Sequence, residues 1–340
     1  MKHIRLAGVV FIFAAMPVGA TSQTAHASGD TGTNRMDRYH SHLSQRVLRV
    51  AESVNSIIVR TFRSKEDQEA EMTRRFFGNL LTAFHVEGSH IRVTPRIIVT
   101  DRSDTEYKLD FSGRLRLPGI SDRLRLYADS RDTDYDTMDE IFSARYRRTL
   151  ERERGEGATA GLAYFFTDRA ERQLSLSTGM RFRPEPSPKA RLRGRYRKSF
   201  EVWRADFAES GFWSERDAFG KRTEITLDRP FGAIHRLHLR SSGVWSEVSH
   251  GVDWGQNASW FTRFSSRRSA AVTLGARGHT HPSWVADQYL LRVTHRRRIH
   301  RDWLFLEIEP GLDLFREDDY KATPLINIKL EIVIGAFDRL

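Results

Sequence analysis

From about His90 to the end of the chain, apolar and polar residues alternate with period two, the spacing that sends successive side chains to opposite faces of a β-strand. In residues 106–117 (EYKLDFSGRLRL), Tyr107, Leu109, Phe111, Leu115 and Leu117 share one face, and Lys108, Asp110, Arg114 and Arg116 the other. Residues 301–314 set Leu304, Leu306, Ile308, Leu312 and Leu314 against Glu307, Glu309 and Asp313. The last segment sets Ile326, Ile328, Leu330, Ile332 and Ile334 against Asn327, Lys329 and Glu331. The pattern predicts about fourteen strands, with twelve as the alternative. They fall near residues 89–100, 106–117, 122–130, 157–167, 171–183, 188–198, 201–213, 220–229, 233–246, 251–264, 267–279, 286–297, 301–314 and 322–336.

Short turns such as PGISD, TDRAE, RPFGA and SSRR alternate with connections that are mostly longer and richer in acid, histidine or glycine, above all 131–156. An even strand number with connections of alternating length predicts an all-β, closed, antiparallel up-and-down barrel over residues 89–340. Pro95, inside the first segment, removes a ladder donor and calls for a bulge.

The stretch KARLRGRYRK decides which way this barrel faces, because it puts Arg191, Arg193, Arg195 and Arg197 on one face of a single strand. Its segments are longer than the five or six residues usual in soluble sheets, and they match the roughly 9–11 that a tilted transmembrane strand needs. Guanidinium groups turned toward hydrocarbon would each cost about 2–4 kcal/mol near the bilayer midplane. The uncharged face is therefore expected to meet lipid and the arginines the interior. Trp203, Trp213, Trp245, Trp254 and Trp303 lie near segment ends, as interfacial aromatics do, whereas Trp260 does not.

The N-terminus changes the setting. MKHIR is a basic leader, LAGVVFIFAAM an apolar core of signal-peptide length, and the small residues that follow allow cleavage after Ala20 or Ala27. Residues 1–27 are thus predicted to be an export signal. Residues 28–88 are predicted to be a periplasmic segment. It contains an amphipathic helix over about 37–58, seamed by Leu43, Val47, Val50, Val54 and Ile57, and a charged connector over 64–75. The seam suits self-association, packing beneath the barrel, entry into the lumen or docking of a periplasmic partner.

Signal peptide, even strand number, dyad alternation and the near-terminal strand ATPLINIKLEIVIGAF together resemble bacterial outer-membrane β-barrel proteins, porin-like in architecture, with no specific family indicated. The resemblance covers about residues 89–337. It implies contact with outer-membrane lipid and lipopolysaccharide, and insertion by the barrel assembly machinery. Proteins of that class usually close on a strand ending in an aromatic residue, whereas here Phe337 is followed by Asp338, Arg339 and Leu340.

Composition then narrows the chemistry. The chain of 340 residues carries 55 Lys and Arg against 44 Asp and Glu, a formal net charge of +11, and no cysteine, which excludes disulfides and thiolate metal sites. The charge suits an anionic partner, but an exported chain is no nucleic-acid reader. Inward parity predicts a basic lumen of Arg191, Arg193, Arg195, Arg197, Arg114, Arg116, Arg123, Arg125, Arg292 and Arg296. Asp110, Glu224, Glu307, Glu309, Asp313 and Glu331 are its acidic partners. A passive pore that favours small anions is the expected function; the alternative is a non-conducting structural or partner-docking barrel, its interior held by Arg–carboxylate pairs. No cofactor is expected.

Two weaker signals complete the reading. Asp132, Asp134 and Asp136 have the alternate spacing of a calcium loop, but Thr137 stands where such a loop needs glycine. His279 and His281 could hold a transition metal or take part in acid/base work, and with Ser241, Ser242, His235, His238 and His250 would be the material of a loop-borne hydrolase, without a nucleophile, base and orienting group visible together.

Overall fold

In this computed structural model the described residues are 41, 43–45, 89–101, 103–116, 121, 123–130, 158–182, 186–215, 218–300 and 303–335. Fourteen strands follow in chain order: β1(His90–Thr100), β2(Ser103–Arg116), β3(Leu124–Asp129), β4(Ala158–Asp168), β5(Arg172–Phe182), β6(Pro186–Phe200) and β7(Trp203–Ser214) make the first half. β8(Ala218–Phe231), β9(His235–Ser246), β10(Val252–Ser265), β11(Arg268–His279), β12(Val285–His300), β13(Leu304–Phe315) and β14(Ala322–Gly335) make the second. Each pairs antiparallel with its sequence neighbours, and β1 pairs with β14, so the sheet closes. The ring settles the count at fourteen rather than twelve. Among the described residues, closure also leaves no edge strand to template association.

The alternation seen in the sequence becomes an inside and an outside. On β14, Thr323, Leu325, Asn327, Lys329, Glu331 and Val333 are buried, while Pro324, Ile326, Ile328, Leu330, Ile332 and Ile334 between them are more exposed. Large apolar side chains elsewhere lie in the open: Tyr107 is 77% exposed, Leu109 65% and Leu274 58%. Arginine, glutamate and aspartate fill the interior, with Arg296 and Asp313 each only 1% exposed. This polarity is the reverse of a water-soluble barrel, whose oily residues would point inward.

Pro95 does not produce the expected bulge. Val93 pairs with Ile332 and Arg96 with Lys329 in one register, and the β1–β14 ladder lapses only over Thr94 and Pro95. Being beside the seam, the proline costs local pairing and no register. Trp260 also finds a place with the girdle: its ring centroid is 5.1 Å from that of Phe231, the last residue of β8, and 5.5 Å from that of His235, the first of β9.

Tyr127 on β3 reaches over β4 and β5. Its hydroxyl would lie 2.6 Å from a Cβ placed on Gly161 and 2.8 Å from one on Gly179, and these two glycines face each other across the β4–β5 ladder. Only side chains without a Cβ leave room for the tyrosine to lie across both strands.

Of the predicted helix over 37–58, only residues 41 and 43–45 are described, and these are helical. The remainder, the connector over 64–75, the signal segment, Phe337 and the Asp132, Asp134 and Asp136 loop lie outside the described residues.

Candidate functional site: the charged lumen

Strand parity turns the predicted basic residues to the interior in two unequal groups. The first flanks the seam. Arg296 on β12 donates to Glu307 on β13 at 2.9 Å and to Glu331 on β14 at 3.1 Å, skipping a strand to reach the latter. The Phe305 ring caps its guanidinium at 4.3 Å. Arg292 donates to Asp313 at 2.6 Å, and the buried Gln288 amide donates to the same carboxylate at 2.9 Å. Lys329 lies 3.7 Å from Glu307 and 3.6 Å from Glu309; Thr294 donates to Glu309 at 3.0 Å. Arg96 meets Asp110 at 2.8 Å, and Arg92 meets Glu331 at 3.6 Å across the closure. These groups crosslink β12, β13, β14, β1 and β2. Buried charges of this kind persist only when matched and hydrogen-bonded, and here carboxylates and cations interleave.

The second group runs along β6. Lys189, Arg191, Arg193, Arg195 and Arg197 occupy successive inward positions, about 6.6–6.8 Å apart along the strand. Two carboxylates gather its lower rungs. Arg195 and Arg197 both donate to Asp206 on β7, at 2.7 Å and 3.1 Å. Arg193 donates to Glu224 at 2.8 Å, which Arg222 and Arg240 also approach, at 2.8 Å and 2.7 Å. Nearby, the His238 ring donates to Asp228 at 2.8 Å.

A cavity of ≈ 130 Å³ opens beside the upper rungs. Six cationic side chains, Arg114, Arg125, Lys189, Arg191, Arg193 and Arg195, line it against the single carboxylate of Asp129. Ser175, Ser177, Gln173 and Tyr127 contribute hydroxyl and amide groups to the same wall. Arg125 also pairs with Asp168 and lies over the Phe165 ring at 4.0 Å. The arrangement concentrates positive potential on one side of the lumen.

Two predicted members are placed differently from the rest. Arg123 precedes β3 in an exposed turn, its backbone N–H donating to the Ser121 hydroxyl, so the basic wall of β3 begins at Arg125. Arg116 ends β2, and its backbone N–H donates to the Ser89 hydroxyl at 3.2 Å. Of the hydrolase material, Ser242 is buried inside β9, 8% exposed, and makes no hydrogen bond to a histidine among the described residues. His279 ends β11 and bonds Asp287 at 2.6 Å. His235 bonds the Thr262 hydroxyl at 3.0 Å.

The sequence reading missed an ion pair on the opposite face of the wall. Glu209 on β7 and Lys221 on β8 meet at 2.7 Å and point outward, next in sequence to Ser210 and Arg222, which pair with each other and are buried on the inward face. The Thr223 hydroxyl donates to the other Glu209 oxygen at 2.8 Å. The parity of Phe207, Glu209, Gly211 and Trp213 was the available signal.

No family model matches the chain, and no curated protein matches it in sequence. Among solved structures it is similar to KdgM porin, at 9% identity and a TM-score of 0.34, over 72% of this chain and 99% of that one. It is similar to the outer membrane protein opdK from Pseudomonas aeruginosa at 9% identity and a TM-score of 0.43, over 72% and 98%. A loop L8 deletion mutant of OmpT, an outer membrane protein of Vibrio cholerae, gives 10% identity and a TM-score of 0.42, over 72% and 98%.

Proposed function

We propose that the chain is an integral outer-membrane barrel whose lumen passes small solutes with a preference for anions. The outward belt of Ile, Leu and aromatic side chains supports the membrane placement, since it would otherwise leave a broad apolar surface in water. The basic leader and apolar core at the N-terminus support export. The observation that carries the anion preference is the cavity between β2 and β6, lined by six cations and one carboxylate; Arg125, Arg193 and Arg195 are also paired with Asp168, Glu224 and Asp206 beyond the lining, and cations still outnumber these carboxylates. A lumen so lined raises the local concentration of anions and lowers that of cations.

The test is a planar-bilayer recording in a salt gradient. A reversal potential of the anionic sign is expected; cation preference, or no conductance, overturns the pore. Membrane placement is tested separately, by migration on a gel with and without boiling and by the need for detergent. A mature chain that stays folded and freely soluble in plain buffer ends that placement.

A second reading, a non-conducting barrel that reinforces the envelope, is favoured by the buried network around Arg296, Arg292 and Lys329. A barrel that inserts and resists unfolding but never conducts is its expected signature.

A further inference from the structure

The outward ion pair has no role in a lumen. Glu209, Gly211, Lys221 and Thr223 form one patch, because Gly211 pairs with Lys221 and Glu209 with Thr223 across the β7–β8 ladder. Gly194 on β6 pairs with Glu209, and Gly243 on β9 with Thr223. A Cβ on Gly194 or Gly211 would meet nothing within 4 Å. The patch is therefore a shallow polar notch, walled by the exposed Leu192, Phe207, Trp213 and Ile225.

Its depth is what makes it unusual. Trp213 pairs with Phe219, an aromatic pair of the interfacial kind. Lys221 and Glu209 lie one and two outward steps further in, so hydrocarbon rather than headgroups would surround the carboxylate. The lysine side chain is 65% exposed and the glutamate 32%. Charged groups on a lipid-facing wall destabilise a barrel increasingly with depth, and among the described residues the ion pair has on that face only the Thr223 hydroxyl, donating to Glu209, as a polar neighbour.

We infer that this patch is the contact surface for a second copy of this chain. A two-fold axis through the notch sets Lys221 of each protomer against Glu209 of the other, because the same patch carries both signs and satisfies itself. The glycines let the two walls approach closely, as small residues do where membrane segments pack without a hydrophobic driving force. A lipid phosphate fits less well, since Glu209 would repel it and the patch has no net charge. The inference rests on the membrane placement proposed above, and not on whether the lumen conducts.

The chain has no cysteine, so single-cysteine variants report contacts cleanly. Gly211→Cys, folded in vesicles at high lipid-to-protein ratio, is expected to give a dimer with a short bis-maleimide. Ile328→Cys, outward on β14 and half the ring away, is expected to stay monomeric. In detergent at matched density, sedimentation should show Glu209→Lys and Lys221→Glu each weakening the dimer about tenfold. The double exchange Glu209→Lys with Lys221→Glu should restore it.

A protein that is folded by gel migration yet monomeric in both assays overturns the inference and leaves the membrane placement standing. Equal crosslinking at Gly211→Cys and Ile328→Cys overturns it as well. So does lipopolysaccharide retention lost in Lys221→Glu by a monomeric protein, which would assign the pair to lipid. A chain soluble without detergent removes the placement and the inference together.

Discussion

Arg193 on β6 reaches past β7 to Glu224 on β8, 2.8 Å away. The pair spans three strands, and Glu224 also holds Arg222 and Arg240, so one carboxylate ties β6, β8 and β9 together inside the wall. Such a hub concentrates the consequence of a single substitution.

Glu224→Gln is expected to destabilise the barrel by about 3–5 kcal/mol, because three buried guanidinium groups lose the charge that offsets their desolvation. Denaturant unfolding in lipid vesicles measures it. A loss below about 1 kcal/mol would mean that water reaches these groups freely.

Arg296→Met and Arg125→Met should separate by burial. Arg296 is 1% exposed and bonded to two carboxylates, so its loss should cost about 3–5 kcal/mol. Arg125 pairs with Asp168, whose side chain is 39% exposed, and its replacement should cost only about 0–1 kcal/mol. Unfolding midpoints of the two variants against the parent chain check the ordering.

All fourteen strands were legible from period-two alternation, because a barrel wall must sort side chains by face at every position. Strand ends were less legible: β12 continues through Arg298, Ile299 and His300, three residues past the expected end at Arg297. Parity also assigned the lumen side of Arg193, Glu224, Arg296 and Glu331. It could not show that Arg193 skips β7 or that Arg296 skips β13, since such pairs depend on stagger between strands, which no single strand encodes. Nor could it divide the interior into a matched half near the seam and a cation-rich half near β6. Tyr127 and its two glycines stayed hidden for the same reason: they meet only after three strands are in register.

Leu192→Arg tests the assignment of faces on β6 itself. Leu192 lies outward between the inward Arg191 and Arg193, and is 50% exposed. The substitution is expected to cost about 2–4 kcal/mol in vesicles if the site is near the midplane. The same change at inward Ser177 should cost less, and folding yields on gels resolve the two.

Arg191→Glu should weaken anion preference, read as a reversal potential moved toward zero in a salt gradient. Arg191 is the better choice than Arg193 or Arg195, whose replacement by glutamate would set a new carboxylate beside Glu224 or Asp206. An unchanged reversal potential would exclude the β6 ladder from the conduction path.

Glu331 accepts Arg296 from one side and meets Arg92 across the closure from the other. The strand that carries it is the last to be made. Until β14 arrives, the first strand and the twelfth both hold cations awaiting the same carboxylate, and no earlier hairpin supplies it. The barrel therefore has a built-in test of completeness: a chain that stops before β14 lacks both this carboxylate and the whole ladder that joins β14 to β1, and has nothing with which to lock its two ends.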